Sequence, residues 1–190
     1  MVQVLEIIAV IFSLAYLILL IKEKIACWFF GIAASMTSIY IFYAIGLYSE
    51  ALLYVYYIII GVYGYRLWKK KGNQEEAISV KTIKLKTHVL LILVGILLSG
   101  LLGYLSDQHT DAVNPYLDST TTIFSFIASY LEAKKILSSW IFWLFINAAT
   151  IILYLQQDLS YYLFITFIYF LFSIIGYIKW EKSYQLKRAN

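Results

Sequence analysis

Residues 64–68 of the chain read Gly-Tyr-Arg-Leu-Trp, and residues 176–180 read Gly-Tyr-Ile-Lys-Trp, which is the same segment 112 positions later. The same shift lays residues 1–70 over residues 113–182 without a gap. An internal repeat of this length indicates that one structural unit has been duplicated. The architecture is therefore expected to consist of two copies of this unit. When such a bundle is hydrophobic enough for a membrane, its binding site is expected between the two copies.

The composition places both copies in a lipid bilayer. The chain has 190 residues, of which 62% are hydrophobic and 14% are charged, whereas a soluble domain carries about 25% charged residues. A helix that crosses the hydrocarbon core needs about 20 apolar residues. Seven segments meet this requirement and predict an all-α integral membrane protein; they are residues 4–21, 25–45, 51–67, 89–105, 119–137, 140–155 and 161–178.

The distribution of basic residues predicts how the spans are oriented. The connections at residues 46–50, 106–118 and 156–160 contain no lysine or arginine, while basic residues gather at Lys22 and Lys24, from Arg66 to Lys86, at Lys134 and Lys135, and in the C-terminal tail. The positive-inside rule then places the N-terminus outside and the C-terminus in the cytoplasm. The basic runs are interpreted as topology signals, so no nucleic-acid partner is expected.

One span separates the two copies, so the first and fifth spans cross in the same direction. The repeats are therefore predicted to be parallel, in a 3+1+3 arrangement. The predicted division is a first three-helix repeat at 1–70, a loop, linker helix and external loop at 71–112, and a second repeat with a cytoplasmic tail at 113–190. Residues 69–87 are expected to form a cytoplasmic loop with a short surface helix, and Pro115 is expected in the external loop.

Several functional classes find no support in the sequence. Cys27 is the only cysteine, so neither an intrachain disulfide nor a cysteine metal cluster is expected, and the two histidines lie far apart. The sequence contains no nucleophile elbow, zinc-protease motif or P-loop, so no enzyme and no cofactor are predicted. No cleavable signal peptide is expected. No charged residue lies near the centre of a predicted span, which favours transport without ion coupling.

The sixth span provides the strongest candidate binding face. Trp140, Trp143 and Asn147 are spaced i, i+3 and i+7, so they share one side of a helix. A buried amide needs a hydrogen-bond partner, and aromatic rings beside it can stack on a flat ring or hold a cation. The face is therefore predicted to bind a small molecule. The alternative is that Trp140 anchors the span at the membrane interface and Asn147 bonds another helix.

Other spans offer further candidates for the lining of the site. Ser35 occupies the position of Asn147 in the first copy, where it serves either the lining or close helix packing. Tyr54, Tyr57 and Tyr169 lie deep in the third and seventh spans. Each of these tyrosines either lines the binding site or packs between helices.

The fifth span presents a stripe of hydroxyl groups. Thr121, Ser125 and Ser129 are spaced four residues apart, with Thr122 beside them. Hydroxyls on one face suit hydrogen bonding to a sugar or ribose. The alternative is ordinary packing behind a helix N-cap formed by Asp118 or Ser119.

The sequence resembles the PnuC family of bacterial vitamin transporters over nearly its whole length. The motifs that carry the resemblance are Lys24-Ile25, Trp28-Phe29-Phe30-Gly31, Leu47-Tyr48, Tyr63-Gly64-Tyr65 and Trp68 in the first copy, and Asp118-Ser119, Trp140-x-x-Trp143-x-x-x-Asn147, Gly176 and Trp180 in the second.

The resemblance implies a fold and a mode of action. The fold is seven spans in a 3+1+3 arrangement like that of the SWEET sugar transporters, in the bacterial inner membrane. The activity implied is import of nicotinamide riboside, or in close relatives thiamine or riboflavin. Import would proceed by facilitated diffusion, with trapping by a cytoplasmic kinase that phosphorylates the vitamin. A homo-oligomer, a trimer, is also implied.

One departure from the family bears on the substrate. Riboside-type members often carry Gln or Asn where this chain has Tyr54, and Asn where it has Gly61. A tyrosine-rich wall suits the rings of thiamine by stacking and cation–π contact. Nicotinamide riboside is also a flat cation and stays the first expectation, with thiamine as the alternative.

Overall fold

The computed structural model describes residues 2–44, 48–72, 79–110, 114–156 and 160–189, and this part of the chain forms seven α-helices. In chain order they are α1 (Val2–Ile21), α2 (Cys27–Ala44), α3 (Tyr48–Gly72), α4 (Leu85–His109), α5 (Pro115–Ala133), α6 (Ser139–Gln156) and α7 (Ser160–Ala189). Apart from one isolated parallel bridge between Lys81 and Ile136, the described residues contain no β-structure. The expectation of seven helices is thus confirmed.

The limits of α5 differ from those predicted. The helix begins at Pro115, so the placement of this proline in the external loop was wrong, and so was an N-cap at Asp118 or Ser119. Proline is favoured at the first helical position because its fixed φ suits the helix and its missing N–H would have no intrahelical partner. The helix ends at Ala133 rather than at residue 137, because Lys135 takes a left-handed conformation with φ 54°.

Two segments that were predicted to be cytoplasmic also differ from expectation. α7 continues to Ala189, well beyond residue 178, so the basic tail is helical. The predicted surface helix is absent from residues 79–84, which are not helical, while residues 73–78 lie outside the described residues. The ends of the predicted loop instead extend α3 through Gly72 and begin α4 at Leu85.

Two stretches among the described residues are both long and apolar enough to cross a membrane by length and hydropathy, Leu85–His109 and Leu163–Arg188. Three further apolar helical stretches are shorter, Ile7–Ile21, Cys27–Tyr40 and Ser139–Leu153. The remaining helices, α3 and α5, are rich in tyrosine or in serine and threonine, which hydropathy scales count as polar although such side chains are common in helix bundles.

The chain divides into two compact units. The first comprises residues 1–79 with 133–135 and 182–190, and the second comprises residues 80–132 and 136–181. In the first unit α2 packs against both α1 and α3. The rings of Phe12 and Phe30 lie 6.0 Å apart, and those of Phe29 and Tyr65 lie 4.8 Å apart. These ring contacts join α2 to α1 and to α3.

In the second unit, small residues on α4 allow it to approach α5. Gly95, Ser99 and Gly103 are the buried residues of α4, one helical turn apart. A methyl group on Gly95 would lie 2.8 Å from Cζ of Phe124, and one on Gly103 would lie 2.6 Å from Cδ1 of Tyr116. Small residues at this spacing are the usual means of close helix contact in membranes. Beyond α4, a cluster of apolar side chains forms the core; it contains Ala128, Leu131, Ile136, Phe142 and Ile146.

The repeated Gly-Tyr-x-x-Trp segment packs in the same way in each unit. In the first, the rings of Trp28 and Trp68 meet edge to face at 5.3 Å and 84°. In the second, those of Trp140 and Trp180 do so at 5.3 Å and 89°. In each case the glycine of the segment leaves room for the inner tryptophan. The parallel relation of the repeats, the orientation of the termini and the predicted division into 1–70, 71–112 and 113–190 stay predictions.

Candidate functional site

The face predicted on α6 lies in the second unit, and its first member is a packing residue. Trp140 is only 1% exposed. Its six-membered ring occupies the space above Gly176, where a methyl group would lie 2.5 Å from Cε3. The indole N–H of Trp140 has no acceptor among the described residues. Trp140 therefore lies in the core of its unit. It does not have the exposed position of a tryptophan that anchors a span at the membrane interface, which was the alternative interpretation.

The second member of the face, Trp143, is half-buried and is fixed at its nitrogen. Nε1 donates a hydrogen bond of 2.6 Å to Oε2 of Glu132. The ring also packs against the apolar core cluster of the unit. Two different contacts thus hold one indole ring in a defined orientation while part of it stays accessible.

Glu132 is the residue that the sequence analysis missed. It lies in the last turn of α5 and is only 2% exposed. Glu132 lies near an end of its predicted span, away from the centre, where a charge would point to ion coupling. A signal was nevertheless present, because a glutamate inside the predicted span at 119–137 must either leave the membrane core or find a partner.

The third member of the face, Asn147, lies one turn deeper and is 8% exposed. Nδ2 donates to Oγ of Ser173 at 3.1 Å, and Oγ of Ser173 donates to the backbone oxygen of Tyr169 at 2.9 Å. In the part of the chain that is described, Asn147 makes no other side-chain hydrogen bond. The structure therefore joins α6 to α7 through this amide, which was the alternative interpretation of Asn147, and leaves the amide oxygen able to accept a hydrogen bond from a ligand.

The hydroxyl stripe of α5 donates to its own helix. Thr121 bonds the backbone oxygen of Asp118 at 2.8 Å, Ser125 bonds that of Thr121 at 2.7 Å, and Ser129 bonds that of Ser125 at 2.6 Å. Such local bonds are common for helical serine and threonine. They use the hydroxyl proton but leave lone pairs on the oxygen, so these groups can still accept hydrogen bonds. Thr121 and Thr122 are half-buried, while Ser125 is buried.

The remaining candidates lie in the first unit. Ser35 is buried and donates to the backbone oxygen of Gly31 at 2.9 Å. The rings of Tyr54 and Tyr57, both half-buried, meet edge to face at 5.6 Å. A methyl group on Gly61 would lie 2.7 Å from Cγ1 of Ile32, so the space that an asparagine would need at this position is filled by an aliphatic side chain.

The structure thus assembles the candidates in two groups. One comprises Ser35, Tyr54 and Tyr57 in the first unit. The other lies in the second unit and comprises Thr121, Thr122, Ser125, Trp140, Trp143, Asn147 and Tyr169. Within the second group, direct contacts link Asn147 to the segment of α7 that begins at Tyr169. Among the described residues, no three histidine, cysteine, aspartate or glutamate side chains are grouped as a metal site would require.

Comparisons with known proteins identify the family. The family model described as nicotinamide mononucleotide transporter matches residues 3–182. The nicotinamide riboside transporter PnuC of Neisseria mucosa is 27% identical over 172 residues, which cover 85% of this chain and 65% of that protein. PnuC of Haemophilus influenzae is 28% identical over 178 residues, covering 91% and 76%. PnuC of Escherichia coli is 26% identical over 161 residues, covering 71% and 67%.

A solved structure matches the fold as well. The crystal structure of the vitamin B3 transporter PnuC superimposes with a TM-score of 0.78 at 23% identity, covering 98% of this chain and 83% of that one. The chain spans about two-thirds of the length of the Neisseria relative. From the family model and the shared fold, the chain belongs to the PnuC family of transporters and is a multi-pass protein of the inner membrane.

Proposed function

We propose that the chain carries nicotinamide riboside inward across the membrane by facilitated diffusion. The observation that carries this proposal is the match to relatives named nicotinamide riboside transporter along most of the chain. The geometry of α6 supports it, because a fixed indole ring and a buried amide lie one turn apart on the same face. No enzymatic role is part of the proposal.

Each part of the vitamin finds a complementary group in the second unit. The positively charged pyridinium ring stacks on Trp143, where a cation–π contact contributes about 0.5–2 kcal/mol. The carboxamide donates to the amide oxygen of Asn147. The ribose hydroxyls donate to the oxygens of Thr121, Thr122 and Ser125. Tyr169 adds a further polar aromatic wall, while Trp140 supports Trp143 and Asn147 by holding α6 against α7.

Uptake in this proposal needs no ion gradient. The buried carboxylate among the described residues of the spans, Glu132, is engaged by Trp143 at an end of α5 and not in mid-span. Net uptake then stops when the electrochemical potential of the vitamin is equal on the two sides, which means equal concentrations where there is no membrane potential. Accumulation requires a cytoplasmic kinase that phosphorylates the vitamin, since a phosphate group adds negative charge that a site built for a cation disfavours. Assembly as a homo-oligomer, a trimer, stays part of the proposal.

Thiamine is the second candidate, and the first unit provides the observation that favours it. Tyr54 and Tyr57 form an edge-to-face pair, and Ile32 fills the space at Gly61, so the amides that riboside-type members often carry on this helix are replaced by aromatic and aliphatic groups. The thiazolium ring of thiamine is also a flat cation. Titration calorimetry with nicotinamide riboside, nicotinamide mononucleotide, thiamine and riboflavin separates the candidates. Binding of nicotinamide riboside is expected. Thiamine binding without a riboside signal would identify thiamine as the substrate instead.

Transport itself is tested in liposomes that contain the purified protein. Labelled nicotinamide riboside is expected to enter saturably to the outside concentration, at a rate unaffected by a proton or sodium gradient. Asn147→Leu is expected to abolish saturable uptake while the protein still folds, because Ser173 keeps its bond to the backbone of Tyr169. Phe145→Leu is the control, since Phe145 is exposed on another side of α6. Unchanged uptake in Asn147→Leu would remove Asn147 from the site.

A further inference from the structure

A buried carboxylate beside an aromatic ring of a proposed ligand site needs a physical reason. Glu132 is 2% exposed and lies in a largely apolar unit. Burial of a carboxylate is unfavourable unless the group is hydrogen-bonded, and the bond from Nε1 of Trp143 at 2.6 Å provides one such partner. The short distance is typical of a hydrogen bond to an ionised acceptor.

The internal repeat shows that the scaffold alone does not require this pair. The position that corresponds to Glu132 in the first copy is Leu20, which is fully buried, and the position that corresponds to Trp143 is Gly31. The same helix–turn–helix therefore folds in the first copy with neither the carboxylate nor the indole. Both members of the pair are present in the second copy only, as expected for a feature that serves a ligand.

The ammonium group of Lys135, three residues further along, is paired with a different carboxylate. Lys135 follows Glu132 in the same turn, but its Nζ lies 2.7 Å from Oε2 of Glu23 and 4.3 Å from the ring centre of Trp68. The positive charge of Lys135 is therefore matched by Glu23. The negative charge of Glu132 is oriented toward the indole nitrogen of Trp143.

A carboxylate that accepts from an indole N–H changes the ring as well as holding it. Hydrogen bonds polarise the groups they join, and the effect is stronger in a low dielectric. Electron density moves from the N–H into the ring, so the face of the indole becomes a better partner for a cation. The carboxylate also contributes its own negative potential at the edge of the ring.

We propose that Glu132 determines the charge specificity of the site: it orients the indole of Trp143, and its negative charge makes the site select cationic aromatic rings over neutral rings of the same shape. This inference rests on the proposed function, in which Trp143 stacks on the ring of the vitamin. It narrows the substrate class to flat organic cations.

The test compares two ligands that differ mainly in charge. Nicotinamide riboside carries a pyridinium cation, and dihydronicotinamide riboside has the same ribose and carboxamide on a neutral ring. Wild-type protein is expected to bind the cation more tightly. Glu132→Gln keeps an acceptor for the indole N–H but removes the charge, so the affinity for the cation is expected to fall about 5- to 10-fold, with little change for the neutral ligand.

A matched control separates a local effect from a change in net charge. Asp107→Asn also removes one negative charge, from an exposed residue near the end of α4, and is expected to leave the affinity ratio unchanged. The inference would be overturned if Glu132→Gln lowered the affinity for both ligands equally, or lowered neither. If Glu132→Gln does not fold, Trp143→Phe provides a second test, because it removes the indole N–H that donates to Glu132. The ratio of the affinities for the cationic and the neutral ligand is then expected to fall toward one. An unchanged ratio in this variant would contradict the inference.

The result also distinguishes the inference from the proposed function. Absence of binding of any flat cation to wild-type protein would contradict the proposed function. Tight riboside binding with an unaltered ratio in Glu132→Gln would leave that function intact and contradict only the role of Glu132.

Discussion

At the scale of single residues, the fold depends on glycines that leave space for rigid rings. Gly64 and Gly176 each face a buried tryptophan, and a methyl group would lie 2.4 Å and 2.5 Å from the nearest ring carbon. The spacing of glycine and tryptophan was visible in the sequence. The identity of the opposing ring was not, because it depends on how two helices pack.

Substitution of Gly176 by alanine is expected to destabilise the protein. The added methyl group would overlap the indole of Trp140, which is wedged against Trp180 and cannot move aside. Overpacking of this kind costs about 1–3 kcal/mol, which is measured as a lower midpoint of thermal unfolding in detergent. Gly100→Ala is the control, because no atom lies within 4 Å of its added methyl group. An equal midpoint in both variants would show that the glycine does not serve packing.

Asn147 and Glu132 show how far the site could be predicted at this scale. The spacing on α6 predicted the shared face of Trp143 and Asn147, because helical periodicity is local. The bond from Trp143 to Glu132 spans two helices and the turn between them. Its geometry depends on where α5 ends, which the hydrophobic pattern placed four residues too late.

At the scale of elements, the turns that follow α1 and α5 have the same form. Glu23 and Lys135 lie at equivalent positions of the two copies, and both are left-handed, with φ 55° and 54°. The N–H groups of Lys24 and Ile136 each bond the carbonyl oxygen five residues earlier, at 2.9 Å, which is the Schellman ending of a helix. Neither turn has the glycine that usually marks this ending. For this reason the sequence predicted the existence of seven helices but misplaced the end of α5.

The ion pair between these two turns is expected to stabilise the first unit. Nζ of Lys135 lies 2.7 Å from Oε2 of Glu23, and the lysine side chain is buried. Glu23→Gln leaves a buried ammonium group with reduced compensation, and the expected loss in unfolding free energy is about 3 kcal/mol, at the low end for a buried pair because Glu23 is partly exposed.

Adding a second substitution tests the cause of that loss. Glu23→Gln combined with Lys135→Met removes both charges and keeps the aliphatic stem against Trp68. The double variant is expected to unfold at a higher temperature than Glu23→Gln alone. A double variant that is less stable than either single variant would indicate that the charges are not what holds this turn.

At the scale of the whole molecule, the hydrophobic pattern predicted the number of helices, and the motifs that resemble those of the PnuC family indicated the family. What they leave open is orientation, because hydropathy is the same in both directions across a bilayer. Only the asymmetry of lysine and arginine between the connections points to a direction.

That asymmetry gives a topology that a single introduced cysteine can test. Cys27 is the only cysteine and is buried, so the natural chain should react little with a membrane-impermeant maleimide. Asp107 and Lys187 are exposed, near the end of α4 and in the basic part of α7. In right-side-out vesicles, Asp107→Cys is expected to be labelled from outside and Lys187→Cys only after permeabilisation. Seven crossings require the two sites to lie on opposite sides, so the reverse pattern would place the N-terminus in the cytoplasm, and labelling of both from one side would contradict the number of crossings.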